Sequence, residues 1–300
     1  MPDMLREPSA LPMDDIFAPT GVKGVFGFTA SYEAVVEGLM RLIDSYRSAR
    51  AEVLRFPPIM SRALVERAGY HKNFPHLLGC VCSLHGNEAD VRAGLEGKME
   101  EDWTQGLVAT DLVLSPAACY PLYPLTAERG PVSAEGCLFD VASYCFRHEA
   151  THELGRMQAF RMREFVRIGT AEQAFEFRAE WLPLAQEIAE RLKLSYKIET
   201  ASDPFFGRLG KLMAASQKHQ ALKFELLMPI RSAEEPTACM SFNYHRDQFG
   251  ITWGMETQDG TVAHSACVAF GIDRLALALL AAHGTTLNGW PRTVREALAF

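Results

Sequence analysis

The stretch FRMREFVRIG, Phe160–Gly169, decides how this chain is read. As a strand it sends Phe160, Met162, Glu164, Val166 and Ile168 to one face and Arg161, Arg163, Phe165 and Arg167 to the other. Working outward, Cys137–Gly169 reads as strand, polar loop, strand. Thr170 then opens a long helix with a Thr170–Gln173 capping box. Phe175, Trp181, Leu182, Ala185, Ile188, Ala189 and Leu192 recur along one face of that helix. Upstream, residues 32–48 have helical spacing and Pro58–Ala68 reads as a helix that ends in a turn at Gly69. Asn87–Asp102 reads as a charged, exposed helix, and the Pro-punctuated Asp111–Leu125 as strand or loop. Downstream, residues 221–230, 237–244 and 261–270 read as strands. The last of these feeds a helix, Ile272–Ala282, closed by Gly284, and a final helix starts at Pro291. Clustered strands joined by short turns and longer loops give an α+β fold, a mainly antiparallel sheet flanked by helices. Residues 1–20 read as a loose segment and 21–300 as one catalytic domain.

The bulk properties narrow the function. With 300 residues, 48% hydrophobic and 22% charged, the chain can bury a large core. Its formal net charge of −7 disfavours a nucleic acid as main partner. No apolar run approaches a membrane span, and the opening residues have no apolar signal core. Seven cysteines, without a C-x-x-C pair, suit a reducing cytoplasm and buried thiols better than a disulfide framework.

Four groups of residues carry possible chemistry. Glu164 stands on an otherwise apolar row, where a carboxylate is costly unless donors or a cation satisfy it. A buried Glu–Arg pair is the plain alternative. Cys267 shares its row with the small residues Ala263, Ser265 and Ala269, which leave room beside the thiol, and Cys119 lies in the stiff stretch between Pro116 and Pro121. Two thiolates and a carboxylate make a site suited to Zn²⁺ with one position open, although on composition alone inert core cysteines are the better reading. Arg147 and Glu149, placed on one face of a strand Tyr144–Glu149, suit a nucleotide: the fork takes phosphate oxygens and the carboxylate an amino group or a metal, against a plain surface ion pair. In Phe270-Gly271-Ile272-Asp273-Arg274, a glycine turns strand into helix, and a phosphate there would meet a helix N-terminus and a guanidinium.

At these residues the chain resembles the class II aminoacyl-tRNA synthetases. Gly69, Tyr70 and Pro75 match the first signature, Arg147-His148-Glu149 with Phe160–Gly169 the second, and Gly271 with Arg274 the third, in order. More narrowly, it is similar to the atypical zinc-containing seryl-tRNA synthetases, and closer still to their shortened homologues, the amino acid:[carrier protein] ligases. The shared phrases are Ala118–Pro121, Arg156–Gln158, Asp203–Arg208, Lys223–Leu226 and Thr237–Tyr244. The resemblance implies zinc held by Cys119, Glu164 and Cys267, with Glu164 also beside the substrate amine. It implies ATP, with Mg²⁺, held by Arg147, Glu149, Arg156, Met157 and Arg274, and flanked by Lys223 and the strand Ala238, Cys239, Met240, Ser241. It further implies activation of glycine or alanine, transfer to a phosphopantetheine thiol on a carrier protein, no tRNA-reading arm, and a homodimer with Gly69–Leu78 near its two-fold axis.

Two other readings compete. His148-Glu149-Ala150-Thr151-His152 matches the H-E-x-x-H pattern of zinc metalloproteases, which needs a helix to bring both histidines to one face, whereas Glu153-Leu154-Gly155 favours a loop. A synthetase paralogue without catalysis, binding a metabolite or partner, would spare no reason to keep Arg147, Glu149 and Arg274 together. Finally, residues 206–220 read as a helix on which Arg208, Lys211 and Lys218 form one basic stripe while Leu209, Leu212 and Met213 pack inward. On an acidic chain such a stripe is a solvated face, a dock for an acidic carrier protein, or an RNA phosphate contact, the last disfavoured without a tRNA-reading arm.

Overall fold

The computed structural model describes residues 5–96, 102–149 and 154–300. Its strands are β1 (Phe17–Pro19), β2 (Phe26–Phe28), β3 (Glu52–Arg55), β4 (Ile59–Ser61), β5 (Cys80–Leu84), β6 (Leu107–Leu114), β7 (Cys137–Phe146), β8 (Ala159–Gly169), β9 (Lys197–Thr200), β10 (Lys223–Met228), β11 (Thr237–Arg246) and β12 (His264–Gly271). The helices are α1 (Met13–Ile16), α2 (Ala30–Asp44), α3 (Arg62–Arg67), α4 (Tyr70–Asn73), α5 (Glu88–Leu95), α6 (Leu122–Glu128), α7 (Ala171–Arg191), α8 (Gly207–His219), α9 (Gln248–Trp253), α10 (Ile272–His283) and α11 (Arg292–Leu298).

Seven strands form the central sheet in the order β3-β7-β8-β12-β11-β10-β9, antiparallel throughout except for the parallel β3–β7 pair at one edge. Strand β8 sits near the middle, so both its rows are covered. Phe165 packs with Trp181, Phe242, Val268 and Phe270 under α2, α7 and α10, in the larger core. Val166 and Ile168 pack on the opposite side with Phe139, Val141, Leu122, Tyr123 and Phe249. The predicted Thr170–Gln173 capping box is present, with Gln173 N–H donating to Thr170 Oγ1 at 3.2 Å and Thr170 N–H to Gln173 Oε1 at 3.1 Å. Phe175 is the exception on the α7 stripe: it is half exposed and stands against Tyr244. A smaller sheet, β4-β6-β5, leans on the main one.

Several expected boundaries shift. The strand expected over Tyr144–Glu149 ends at Phe146: the Arg147 N–H still donates in register to Gln158 O at 2.9 Å, but the His148 N–H leaves the β8 partner and donates to Leu77 O at 3.0 Å. Pro58–Ala68 is a short strand followed by a short helix, and Asp111–Leu125 is the end of β6, a turn and the start of α6. There Pro121 caps the helix and Pro124 falls in its first turn, where a missing N–H costs nothing. The exposed helix expected over Asn87–Asp102 runs only over Glu88–Leu95, and residues 97–101 lie outside the described residues. Within the segment expected to be loose, Ile16 and Phe17 are buried in the core. No helix among the described residues is long and apolar enough to cross a membrane.

Candidate active site

The sheet face opposite α7 and α10 carries the site, and strand register explains why distant residues meet there. Glu164 on β8 lies opposite Ala269 on β12, and Cys267 lies two pairs further along, opposite Val166. Glu164 and Cys267 are therefore diagonal neighbours on one face, with the small Ala269 and Ser265 flanking the thiol. Cys119 comes down on them from the turn before α6. Its backbone N–H donates to Glu164 Oε1 at 3.0 Å. All three side chains are nearly inaccessible, Glu164 being 2% exposed. Burial, followed by the Cys267 charge, pushes the Glu164 carboxyl well above its ordinary value. The Cys267 sulfur is held well below its usual range, chiefly by a hydrogen bond from Cys119 and against the cost of burial, with His245 and Asn243 adding to it. Cys119 shifts up in exchange, since it supplies that proton.

The donor set thus has the chemistry a zinc ion requires: two sulfurs, one of them biased towards thiolate, and a carboxylate. Its spacing is looser than a formed centre, and among the described residues no three His, Cys, Asp or Glu side chains are gathered closely enough to enclose a metal as they stand. Two neighbours complete the surroundings. His245 enters at a β-bulge in β11, its Nδ1 3.0 Å from Ser265 Oγ and its Nε2 3.6 Å from Cys267 Sγ. Asn243 Nδ2 donates to Cys267 Sγ at 3.3 Å.

Next to this cluster three connected compartments share two residues, Arg147 and Lys223. The inner one reaches Glu164, Asn243 and His245 and is walled by Tyr70, Tyr120 and Phe205. The middle one is lined by Met157, Phe160 and Arg274, with Ala238, Cys239, Met240 and Ser241 of β11 along one side. The outer one opens past Glu149, Arg156 and Arg231. Arg147 is fixed by donating Nε to Pro116 O at 3.3 Å, with its guanidinium 5.5 Å from the Phe160 ring centroid. Arg274 is fixed by Gly155 O and Ala238 O, at 2.7 and 2.9 Å. Gly271, just before the helix, lies close to β11: a Cβ there would stand 3.2 Å from Cys239 O. Arg156 donates to Glu149 Oε2 at 2.9 Å. Burial, then the charges of Arg147 and Arg156, lowers the Arg274 guanidinium below its ordinary value. Arg147, Arg156 and Arg274 thus line one cavity, where they can meet an anion together.

The structure therefore brings together Cys119, Glu164 and Cys267 in one cluster and Arg147, Glu149, Arg156, Met157, Lys223, Arg274 and Ala238–Ser241 around adjoining cavities. Arg208, Lys211 and Lys218 lie on exposed α8, outside them. On that helix one expectation is reversed. Leu209, Leu212 and Met213 face solvent at 76%, 65% and 44% exposure. The inward side is instead Gly210, Ala214 and Gln217, because the helix approaches Phe205 too closely for a side chain at Gly210. The tract Gly69–Leu78 buries Tyr70 and Leu77, and Tyr70 walls the inner compartment. As for the H-E-x-x-H pattern, His148 and Glu149 are not helical, and His152 lies outside the described residues.

Sequence reasoning missed Asp203, Asn243 and His245. The first two fall inside phrases that carried the resemblance, Asp203–Arg208 and Thr237–Tyr244. His245 had no signal, since it depends on a bulge.

A mainly antiparallel seven-stranded sheet with an Arg-lined cavity on one face defines a class, and comparison agrees with it. Residues 106–283 match the model of the tRNA synthetase class II core domain (G, H, P, S and T), and the chain belongs to that family. Within it, the chain groups with the amino acid–[acyl-carrier-protein] ligases. It is 55% and 56% identical, over 95% of its length, to ligases 1 and 2 of that name from Bradyrhizobium diazoefficiens, covering 88% and 86% of theirs. A type-2 serine–tRNA ligase from Methanopyrus kandleri is 30% identical over 202 residues, with 37% of its length covered. Among solved structures, the M. kandleri seryl-tRNA synthetase in complex with an A. aeolicus tRNA superimposes with a TM-score of 0.80 at 23% identity. It covers 94% of this chain, which spans 58% of the synthetase.

Proposed function

We propose that this chain uses ATP to activate a small amino acid, glycine first and alanine second, and passes it to the phosphopantetheine thiol of an acidic carrier protein. The observation that carries the reading is the junction of two environments: Glu164 of the buried Cys/Glu cluster lines the inner compartment, and that compartment shares Arg147 and Lys223 with the cavities lined by Arg274 and Arg156. In the first step an amino-acid carboxylate oxygen attacks the ATP α-phosphorus and pyrophosphate leaves. In the second, a thiol sulfur attacks the acyl carbon and AMP leaves. Arg147, locked by Pro116 O, stabilises charge at the α-phosphate, and Arg274, anchored by two carbonyls, holds the pyrophosphate end. Rigid positioning supplies much of the rate.

Cys119, Glu164 and Cys267 would hold Zn²⁺, which when bound supplies a Lewis-acid anchor for the amine. Glu149 at the mouth is suited to Mg²⁺, which would neutralise the triphosphate. The inner compartment, walled by Tyr70, Tyr120 and Phe205, favours a small side chain. Arg208, Lys211 and Lys218, now joined by the exposed Leu209, Leu212 and Met213, present a basic and apolar ridge for the carrier, and the ligase would work without tRNA, in the cytoplasm, as a homodimer.

The test is amino-acid-dependent pyrophosphate exchange followed by thioester formation on a carrier protein. Arg147→Ala should lower exchange by roughly 10²–10³-fold, as when an oriented charge-stabilising donor is lost, and His152→Ala should leave it near wild type. Lys211→Glu with Lys218→Glu should weaken thioester formation, most at low salt. Exchange that survives Arg147→Ala but is lost with His152→Ala would favour the protease reading.

A further inference from the structure

Helix α8 is held to the body by few side chains. Among the described residues Gly210 is its one buried position, where a Cβ would meet the Phe205 carbonyl carbon at 2.6 Å. Two turns on, Gln217 faces the same way and grips Asp203 twice. Its Oε1 accepts from the Asp203 backbone N–H at 2.7 Å, and its Nε2 donates to Asp203 Oδ2 at 2.8 Å. The other Asp203 oxygen, Oδ1, accepts from Lys223 Nζ at 2.6 Å. Lys223 also meets Glu225 Oε1 at 3.0 Å and is a wall of all three compartments. An unbroken polar path therefore runs from a solvent-facing helix, through Gln217 and Asp203, to an ammonium at the centre of the site.

We propose that Gln217 and Asp203 are positioning residues that tie the seating of α8 to the placement of Lys223, so that a partner docked on α8 and a nucleotide below it sense one another. This rests on the ligase reading given above. The two carboxylate oxygens are divided between helix and lysine, so a shift of α8 must turn Asp203, and a turned Asp203 releases or drags the ammonium. The charges reinforce the path. Burial works against the Asp203 anion, yet Lys223 and Gln217 hold its carboxyl below the ordinary range. Burial likewise opposes the Lys223 cation, yet Asp203 and Glu225 keep it above its own. Gln220, on the next turn, bonds Arg246 and Ser216 instead, at 2.9 Å each, and provides an internal control.

The experiment compares Gln217→Ala with Gln220→Ala in the full chain. In pyrophosphate exchange without any carrier, Gln217→Ala should raise the ATP KM about fivefold, the low end of usual site-to-site coupling, with kcat within about twofold. Gln220→Ala should leave the ATP KM at its wild-type value. A variant-free measurement runs beside it: saturating ATP should slow amide hydrogen exchange along residues 207–219 in the wild type, and this response should vanish in Gln217→Ala. An unchanged ATP KM in Gln217→Ala, or α8 amides indifferent to ATP in the wild type, overturns the coupling while leaving the ligase reading intact. A wild type that neither exchanges pyrophosphate nor binds ATP removes that reading and the coupling with it.

Discussion

The two faces of strand β8 treat charge in opposite ways. On one, Arg163 is fully buried and completely answered: Nε and Nη2 donate to the two oxygens of Asp140 at 2.8 and 2.6 Å, and Nη2 also donates to Asp44. Arg55 and Arg47 reach the same Asp140. Two residues away, Arg161 is bound by Asp273 and Glu33. On the other face Glu164 is as deeply buried, yet the donors it meets are the backbone N–H and thiol of Cys119, and among the described residues no guanidinium is bonded to it. Fully matched buried charge is scaffolding; buried charge left short of a cation marks where something else binds.

That contrast can be broken at the scaffold end first. Asp140→Asn leaves Arg163 buried without its anion and should cost about 3–5 kcal/mol in denaturant unfolding. Burial works against the Asp140 anion, but Arg163 and Arg55 outweigh it and hold its carboxyl below the ordinary value. Its stabilisation is therefore present above the unfolded-state pKa of about 4 and disappears as pH falls through the lower folded value. The wild type should lose stability below about pH 4 more steeply than Asp140→Asn, and parallel acid limbs for the two would show that this carboxylate is not what links stability to pH.

At the site end the expected pattern inverts. Glu164→Gln removes a carboxylate whose ionisation the fold opposes, so stability should change by less than about 1 kcal/mol, while zinc content by elemental analysis falls together with that of Cys119→Ser and Cys267→Ser. Full zinc in all three variants would place the metal elsewhere. The smallest effect belongs to neither face. Thr170→Ala removes the cap at the end of β8 and should cost about 1 kcal/mol with activity untouched.

The same contrast explains what could be read in the chain beforehand. Period-two alternation located β8 and exposed Glu164 as an anomaly, because a single residue on the wrong row is visible without any neighbour. Cys119 and Cys267 needed the family resemblance, since their convergence with Glu164 depends on strand pairing across 103 residues between Glu164 and Cys267. Arg163, buried as deeply, could be placed on its row but not matched with its anion: Asp140 lies on β7, and only the β7–β8 register makes the pair. Helix α8 misled for a different reason. Periodicity assigns apolar residues to the buried side, but here a close backbone approach at Gly210 and the grip of Gln217 set the orientation, and the leucines were turned outward.

The central sheet also carries its own protection against uncontrolled growth. Each border strand is four residues long: β3 presents Glu52 and Arg55, and β9 presents Lys197 and Glu199, paired at 2.7 Å. A stray chain seeking to extend the hydrogen-bond ladder would find little length to copy and would have to strip water from fixed charges at either border. Short length and charge thus guard both borders of a sheet of seven strands in a crowded solution.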